Sequence, residues 1–390
     1  MFWSIVISFV TAFVSTWFIY GRVLNFAIKY GIVDNPDARK LQRVPVPVLG
    51  GVTVFIGILM VTILGVFFLD VKMLTISVIA ITVMLIVGTI DDVKNLSPAV
   101  RFIFEIGIIL YVIYLGGIKM GDFFGLWGVR SIPDYIGVPL TVFAAVGIMN
   151  AINLIDGVDG YSSGFGAMAC TIFAIMFYAL GNRTMMVIAL AADGALIPFF
   201  LHNVFGRKSK MFIGDGGTLL LGTIMALFVM SILTTNPASY KLMLKNVGLI
   251  PFTLAVLAVP VFDTLRVMTA RIINGLPPFR PDKLHLHHLF IEMGFSHVGT
   301  AVSLILADLI GVAVWFLSYK LGASINLQLY IVLAFAILST FGFYTFVRIQ
   351  QRHNSAFYQW LLRVGEASHV ERKGFWDLMR RLMDRKIEKS

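Results

Sequence analysis

Apolar residues fall in long runs spread from Met1 to Phe346, separated by short polar stretches. An α-helix rises 1.5 Å per residue, so ~20 mostly apolar residues cross ~30 Å of hydrocarbon. Eleven segments have that character, near 1–20, 49–69, 73–90, 102–118, 136–152, 164–180, 185–202, 217–233, 247–265, 299–319 and 328–347. They predict an all-α fold, a polytopic membrane bundle of about eleven transmembrane helices. The first run has no basic region before its apolar stretch and no small-residue cleavage site, so it reads as a retained helix rather than a signal peptide. Composition sharpens the picture: 58% of residues are hydrophobic and 13% charged, against ~25% charged in soluble domains. A soluble globular or disordered chain is excluded. The single cysteine, Cys170, excludes an intrachain disulfide and a cysteine-cluster zinc site.

A net charge of +10 fits nucleic acid, an anionic lipid surface or an anionic substrate, and its placement separates these. Of 31 Lys and Arg, 24 fall in the C-terminal tail and one alternating set of connections, including Arg39, Lys40 and Arg43, and 7 in the other set. Cytoplasmic loops carry the excess, which predicts an outside N-terminus and a cytoplasmic C-terminus. The same inner side holds Asp91, Asp92, Asp156, Asp159, Asp215, Asp263, Asp282, His285, His287 and His288. An enzyme or transporter site is expected there. The positive surplus reads as a topology signal and a phosphate-binding rim, with no nucleic-acid partner. The chain divides into a membrane domain, 1–347, and a basic cytoplasmic tail, 348–390. In the tail, Phe375, Leu378, Leu382 and Met383 lie among Arg372, Arg380, Arg381 and Arg385. That pattern is an amphipathic helix on anionic lipid or an ordinary solvated tail.

Four constellations carry candidate chemistry. Asp91 and Asp92 adjoin at the inner end of the third run; two neighbouring carboxylates repel unless a cation or shared proton compensates. The alternative is a charged stop at a helix end. The stretch Asn153 to Gly160 spaces Asn153, Asp156 and Asp159 three apart among glycines, with no Lys or Arg. Such oxygen ligands suit magnesium or manganese, although a polar turn would use the same residues. Lys210 to Thr218 is a glycine-rich turn opening a helix, with Asp215 inside it. Helix N-termini attract phosphate, and an acid there requires a divalent cation between. Finally, Pro281-Asp282-Lys283-Leu284-His285-Leu286-His287-His288 follows Arg271 and Arg280. Three histidines could bind zinc, but HExxH is absent and the basic neighbours favour an anion clamp.

Together these motifs resemble the polyprenyl-phosphate N-acetylhexosamine-1-phosphate transferases, membrane enzymes with ten or eleven spans, over roughly Gly31 to His297. The histidine segment is similar to that of the bacterial UDP-N-acetylglucosamine branch, which starts O-antigen, common-antigen or teichoic acid synthesis. Relatives using the muramyl-pentapeptide nucleotide carry a different segment. The resemblance implies a bacterial inner-membrane enzyme with a cytoplasmic active site, transferring N-acetylglucosamine 1-phosphate from the UDP-sugar to undecaprenyl phosphate and releasing UMP; the alternative is the same chemistry with another UDP-N-acetylhexosamine, such as the galacto epimer, or with the muramyl-pentapeptide nucleotide. It implies magnesium, or manganese, on the acid at Asp215, with Asn153 as a second ligand. It makes Asp91 and Asp92 catalytic or lipid-phosphate-orienting, and puts Asp156 and Asp159 in the nucleotide site. Phe212 corresponds to an aromatic that stacks on uracil; Asn203, Lys210, Arg271, His285, His287 and His288 fall among the substrate-binding groups. Membrane lipid and a homodimer through the membrane helices are implied partners. Two positions depart from the usual pattern: Gly216-Gly217-Thr218, and Glu105 in place of Gln.

A phosphate monoester has a second pKa near ~6, so the lipid acceptor is mostly dianionic at neutral pH and requires little general-base help. Direct attack is therefore favoured over an aspartyl-phosphate intermediate. The competing class is a secondary transporter, in which Glu105, Asp193 and Asp308 would be intramembrane ion sites. The absence of an internal repeat stands against it.

Overall fold

The computed structural model describes residues 2–35, 44–279, 282–370 and 374–387. Arg39, Lys40, Arg43, Arg280, Pro281, Arg372, Lys373 and Lys389, part of the charge and motif pattern, lie outside the described residues. The helices are α1 (Phe2–Lys29), α2 (Gly50–Gly65), α3 (Val71–Lys94), α4 (Pro98–Gly116), α5 (Asp134–Leu154), α6 (Tyr161–Leu180), α7 (Arg183–Phe205) and α8 (Gly214–Ile232). They continue with α9 (Pro237–Leu244), α10 (Leu249–Val256), α11 (Ala258–Ile273), α12 (Leu286–Glu292), α13 (His297–Lys320), α14 (Ile325–Ile337), α15 (Phe343–Arg352), α16 (Ala356–Ala367) and α17 (Gly374–Ile387). Two short antiparallel strands, β1 (Val33–Asp34) and β2 (Val46–Pro47), pair Val33 with Pro47.

A helix underlies each of the eleven apolar segments, although two of them depart from a single long helix. Among the described residues nine helices are long and apolar enough to cross a bilayer, and a tenth span results if α10 and α11, bent by 74°, are taken together. The protein is thus a multi-pass membrane protein. The second segment yields the 16-residue α2, about 24 Å long at 1.5 Å per residue, and its last apolar residues form a turn. The bend between α10 and α11 falls at Leu257. There Asp308 of α13 accepts the Val259 N–H at 3.0 Å, satisfying a backbone group that a broken helix exposes. Two other intramembrane acids are also bonded within the protein. Asp193 accepts the Thr171 hydroxyl at 2.8 Å, and Glu105 accepts the Asn150 amide at 2.6 Å. Burial of such acids is tolerable where each has a partner, so none requires an ion pathway to explain it.

The bundle is layered around α7 and α8. α8 is apolar on all sides, 94% of its most apolar window is buried, and it packs on α3, α5 and α2. α7 packs on α6, α1 and α2. α1, α4, α13 and α14 are the less buried of the long helices. In the tail, α17 divides its apolar residues between the protein and the surface. Trp376 and Met383 are buried against the protein, with Trp376 4.4 Å from the Phe205 ring at the end of α7. Phe375, Leu378 and Leu382 remain exposed.

One close approach sets the spacing of α3 and α8. A Cβ at Gly88 of α3 would lie 2.3 Å from the Asp215 carbonyl at the start of α8. Only glycine lets these two backbones meet. We expect Gly88→Ala to push α3 and α8 apart at a cost of about 1–3 kcal/mol. Thermal unfolding in detergent should show a lower midpoint. Gly107→Ala, where no atom lies within 4 Å of the added carbon, should leave the midpoint unchanged.

Candidate active site

α3, α5, α7 and α11 run in the same sense, and the segments at their C-terminal ends converge on one cavity of about 550 Å³. The thirteen residues that the resemblance offers as catalytic, metal or substrate-binding groups all line it: Asp91, Asp92, Asn153, Asp156, Asp159, Asn203, Lys210, Phe212, Asp215, Arg271, His285, His287 and His288. Its floor is the junction of α3 and α8. α3 ends at Lys94, with Asn95 in the left-handed conformation, so Asp91 and Asp92 occupy its final turn and face different partners. Asp92 accepts the N–H groups of Asp215 at 2.8 Å and Gly216 at 3.1 Å. It therefore caps α8, whose own preceding residue, Ile213, supplies no side-chain cap. Asp91 accepts the Leu96 N–H at 2.7 Å and lies 3.4 Å from Arg101. Arg101 also reaches Asn150 at 3.3 Å and Glu105 at 3.6 Å. The glutamate that departs from the family pattern is thus the buried anchor of this chain of contacts.

Asp215 receives the Asn153 amide at 2.8 Å, and the same amide nitrogen lies 2.7 Å from the Thr218 hydroxyl. Among the described residues no Lys or Arg pairs with Asp215 or Asp92, although both carboxylates are close. A hard divalent cation fits this charge imbalance, with Asp215 and the Asn153 amide oxygen as available oxygen ligands. No group of three or more His, Cys, Asp or Glu among the described residues forms a metal cage. The arrangement suits a magnesium-like ion that takes one or two protein ligands and completes its shell with water and substrate phosphate.

The second wall is the Asp156–Gly160 turn. Asp159 lies 2.6 Å from Lys210 Nζ and 2.9 Å from His297 Nδ1. Burial alone would raise its carboxyl, but His297 and Lys210 outweigh it and hold it below the ordinary value. Asp156 opens onto the cavity and accepts the Ser162 hydroxyl at 2.6 Å. Removal from bulk solvent lifts its carboxyl to about 7, opposed by Ser162 and reinforced by Asp215 and Asp159. Asn203 is buried and bridges two walls, accepting the Gly160 N–H at 2.7 Å and donating to the Met211 carbonyl at 3.0 Å. The Phe212 backbone is fixed between the Pro47 carbonyl, 2.8 Å, and the Gly50 N–H, 2.9 Å. Lys210 Nζ sits 5.7 Å from the Phe212 ring centre.

The third wall is the histidine segment. His285 Nδ1 lies 2.9 Å from Asp263, which also holds Arg266 at 2.6 Å and the Leu286 N–H at 3.1 Å. His287 packs on the Asp156–Gly160 turn, where a Cβ at Gly157 would come within 2.1 Å of its Nε2. Burial, then His288 and His285, hold His287 well below its ordinary pKa, so the ring is neutral at pH 7. Arg271 is more committed than an anion clamp requires: it pairs with Asp282 at 2.6 Å and donates to the Pro278 carbonyl. It folds the loop that it also exposes to the cavity.

Sequence reasoning missed Asp34, Asn95 and His297, which also line the cavity; it placed Asp263 on the same side without showing that it stands behind His285. His297 belonged to the visible histidine cluster. Asp34 comes from the β1 strand, and no pattern in the chain links it to the rest.

The sequence matches the model of glycosyl transferase family 4 over residues 73–233. It is 32% identical over 295 residues to a probable undecaprenyl-phosphate N-acetylglucosaminyl 1-phosphate transferase of Bacillus subtilis, covering 75% of this chain and 79% of that protein. It is 30% identical over 298 residues to an undecaprenyl-phosphate alpha-N-acetylglucosaminyl 1-phosphate transferase of Salmonella typhi, with coverage of 74% and 77%. A similarly named protein of Escherichia coli K12 is 28% identical over 278 residues, 69% and 72% of the two chains.

The position of Asp156 generates a pH test. A carboxyl that ionises at about 7 is neutral at pH 6 and charged at pH 8, so the cavity gains a negative charge over this range. Mn²⁺ affinity, followed by electron paramagnetic resonance titration, should rise by roughly three- to tenfold more in the wild type than in Asp156→Asn. Identical pH slopes in the two proteins would contradict this electrostatic picture.

Proposed function

Because the chain belongs to glycosyl transferase family 4 and is a phosphosugar transferase, we propose that it transfers N-acetylglucosamine 1-phosphate from UDP-N-acetylglucosamine to undecaprenyl phosphate and releases UMP. The observation that carries this reading is the meeting, at one cavity, of the cationless pair Asp92–Asp215 and the Lys210–Phe212 wall. The first is a place for phosphate-bound magnesium. The second offers a cation and an aromatic face to a nucleotide. The named relatives support the same acceptor and sugar. The reaction begins a cell-surface polysaccharide such as O-antigen, common antigen or teichoic acid.

The charge placement along the chain supports a cytoplasmic cavity in a bacterial inner membrane, with the N-terminus outside. Donor then arrives from the cytosol and acceptor from the inner leaflet. Magnesium, when bound, neutralises charge on the donor diphosphate and favours in-line displacement. The chain's own groups orient the reactants. Lys210 and Phe212 hold the nucleotide, with Asp159 fixing Lys210. His285, His287 and His288, with the cavity edge of Arg271, enclose the sugar phosphate. Asp91, steadied by Arg101 and Leu96, and Asp92, steadied by the α8 backbone, align the acceptor phosphate. Their hydrogen bonds suit positioning better than covalent catalysis, and a dianionic acceptor attacks without a strong base. The bond that forms joins the acceptor oxygen to the β-phosphorus of the donor. The bond that breaks releases UMP.

Purified protein incubated with UDP-N-acetylglucosamine, undecaprenyl phosphate and Mg²⁺ should release UMP, and omission of any one should stop it. Competition by UDP-N-acetylgalactosamine and the muramyl-pentapeptide nucleotide should be weak. Asp215→Ala should lower turnover by at least about 100-fold. Wild-type-like turnover in Asp215→Ala, or equal use of the muramyl nucleotide, would overturn the assignment.

A further inference from the structure

The loop between α7 and α8 has an unexpected partner. Asp384, on the C-terminal helix α17, accepts the N–H groups of Arg207 at 3.0 Å, Lys208 at 3.0 Å and Ser209 at 2.9 Å, all on one carboxylate oxygen. Three consecutive amides converging on an anion form a nest, and charge-assisted bonds of this kind are stronger than neutral ones. Trp376 and Met383 seat the same face of α17 on the protein, seven residues apart and therefore aligned along the helix. From the other side, the Tyr20 hydroxyl holds the Ser209 carbonyl at 2.8 Å. The residue after Ser209 is Lys210, whose ammonium lies on Asp159 and beside Phe212.

We infer that α17 is a positioning element of the donor site: Asp384 fixes the Arg207–Ser209 backbone and thereby the placement of Lys210 against the nucleotide. The remote end of the chain thus sets donor affinity without touching substrate. Three features favour this over a role in packing alone. The loop is short and pinned at both ends, at Gly206 by the His202 carbonyl and at Phe212 by Pro47. Its three successive N–H groups all turn toward a single carboxylate oxygen, which fixes the loop's curvature as well as its position. And the carboxylate reaches them from an element that contributes nothing else to the cavity. Burial would raise the Asp384 carboxyl, yet the N–H groups of Ser209, Arg207 and Lys208 hold it below its ordinary value, as expected for a carboxylate committed to a backbone nest.

The inference rests on the cavity's assignment as the UDP-sugar site, and the test separates the two. In full-length protein, UMP release is measured against UDP-N-acetylglucosamine and, separately, undecaprenyl phosphate, while hydrogen exchange reports the amides of 207–210. Asp384→Asn should raise the donor KM roughly three- to tenfold, leave kcat and the acceptor KM within about twofold, and speed exchange at 207–209. Asp384→Glu should recover part of the donor affinity. Asp377→Asn, which loses only an exposed ion pair with Arg380, should match wild type. An unchanged donor KM despite faster exchange overturns the inference, as does a parallel loss in kcat and both KM values. Absence of wild-type turnover counts against the donor assignment instead. The exchange measurement still decides the cap, which fails if exchange at 207–209 is the same in wild type and Asp384→Asn.

Discussion

The cap that Asp92 places on α8 is the interaction on which the rest of the site depends. It joins the last turn of one spanning helix to the first turn of another, and it does so where the chain can least spare unsatisfied amides, at the membrane boundary. The contact requires α3 and α8 to approach at Gly88, which has no side chain to hold them apart. Once that junction exists, Asp215 projects beside Asp92 and an acidic floor results. The electrostatic cost of this crowding is tolerated because α8 supplies dipolar amides to one carboxylate and Asn153 supplies an amide to the other.

Around that floor the walls are bound to one another rather than merely adjacent. Asn203 ties the Asp156–Gly160 turn to Met211, Asp159 ties it to Lys210 and His297, and His287 lies directly on Gly157. Each wall belongs to a different connection, so the cavity is a property of the assembled bundle. This explains why so many polar side chains at the site bond first to protein. Preorganised groups lose less entropy when they meet substrate, and a reaction limited by alignment of two anions gains most from that economy.

Much of this was legible in the chain. Runs of apolar residues located every spanning segment, and the clustering of acids, glycines and histidines between them located the cavity. What the sequence hid was pairing. Asp91 and Asp92 read as equivalent neighbours, yet the end of α3 directs one to Arg101 and the other to α8. Arg271 read as a ligand contact, yet it bonds to Asp282 and Pro278 of its own loop. Asp308 read as an intramembrane charge available for transport, yet it satisfies the backbone at the α10–α11 bend, which apolar periodicity does not reveal. Asp34 and Asp384 escaped notice for a simpler reason. Neither lies in a patterned motif: Asp34 gains its place by strand pairing with Val46, and Asp384 by bonds to a loop far earlier in the chain.

The distance between Asp384 and the loop it caps has a consequence for biosynthesis. Ser209 and Asp384 are 175 residues apart, and chains are made from the N-terminus onward. α7 and α8 are complete while α17 is still unmade. During that interval water must stand in for the carboxylate that the loop later receives. The membrane bundle can therefore assemble while this loop is still uncapped, and the contact with Asp384 forms only after α17 has been made.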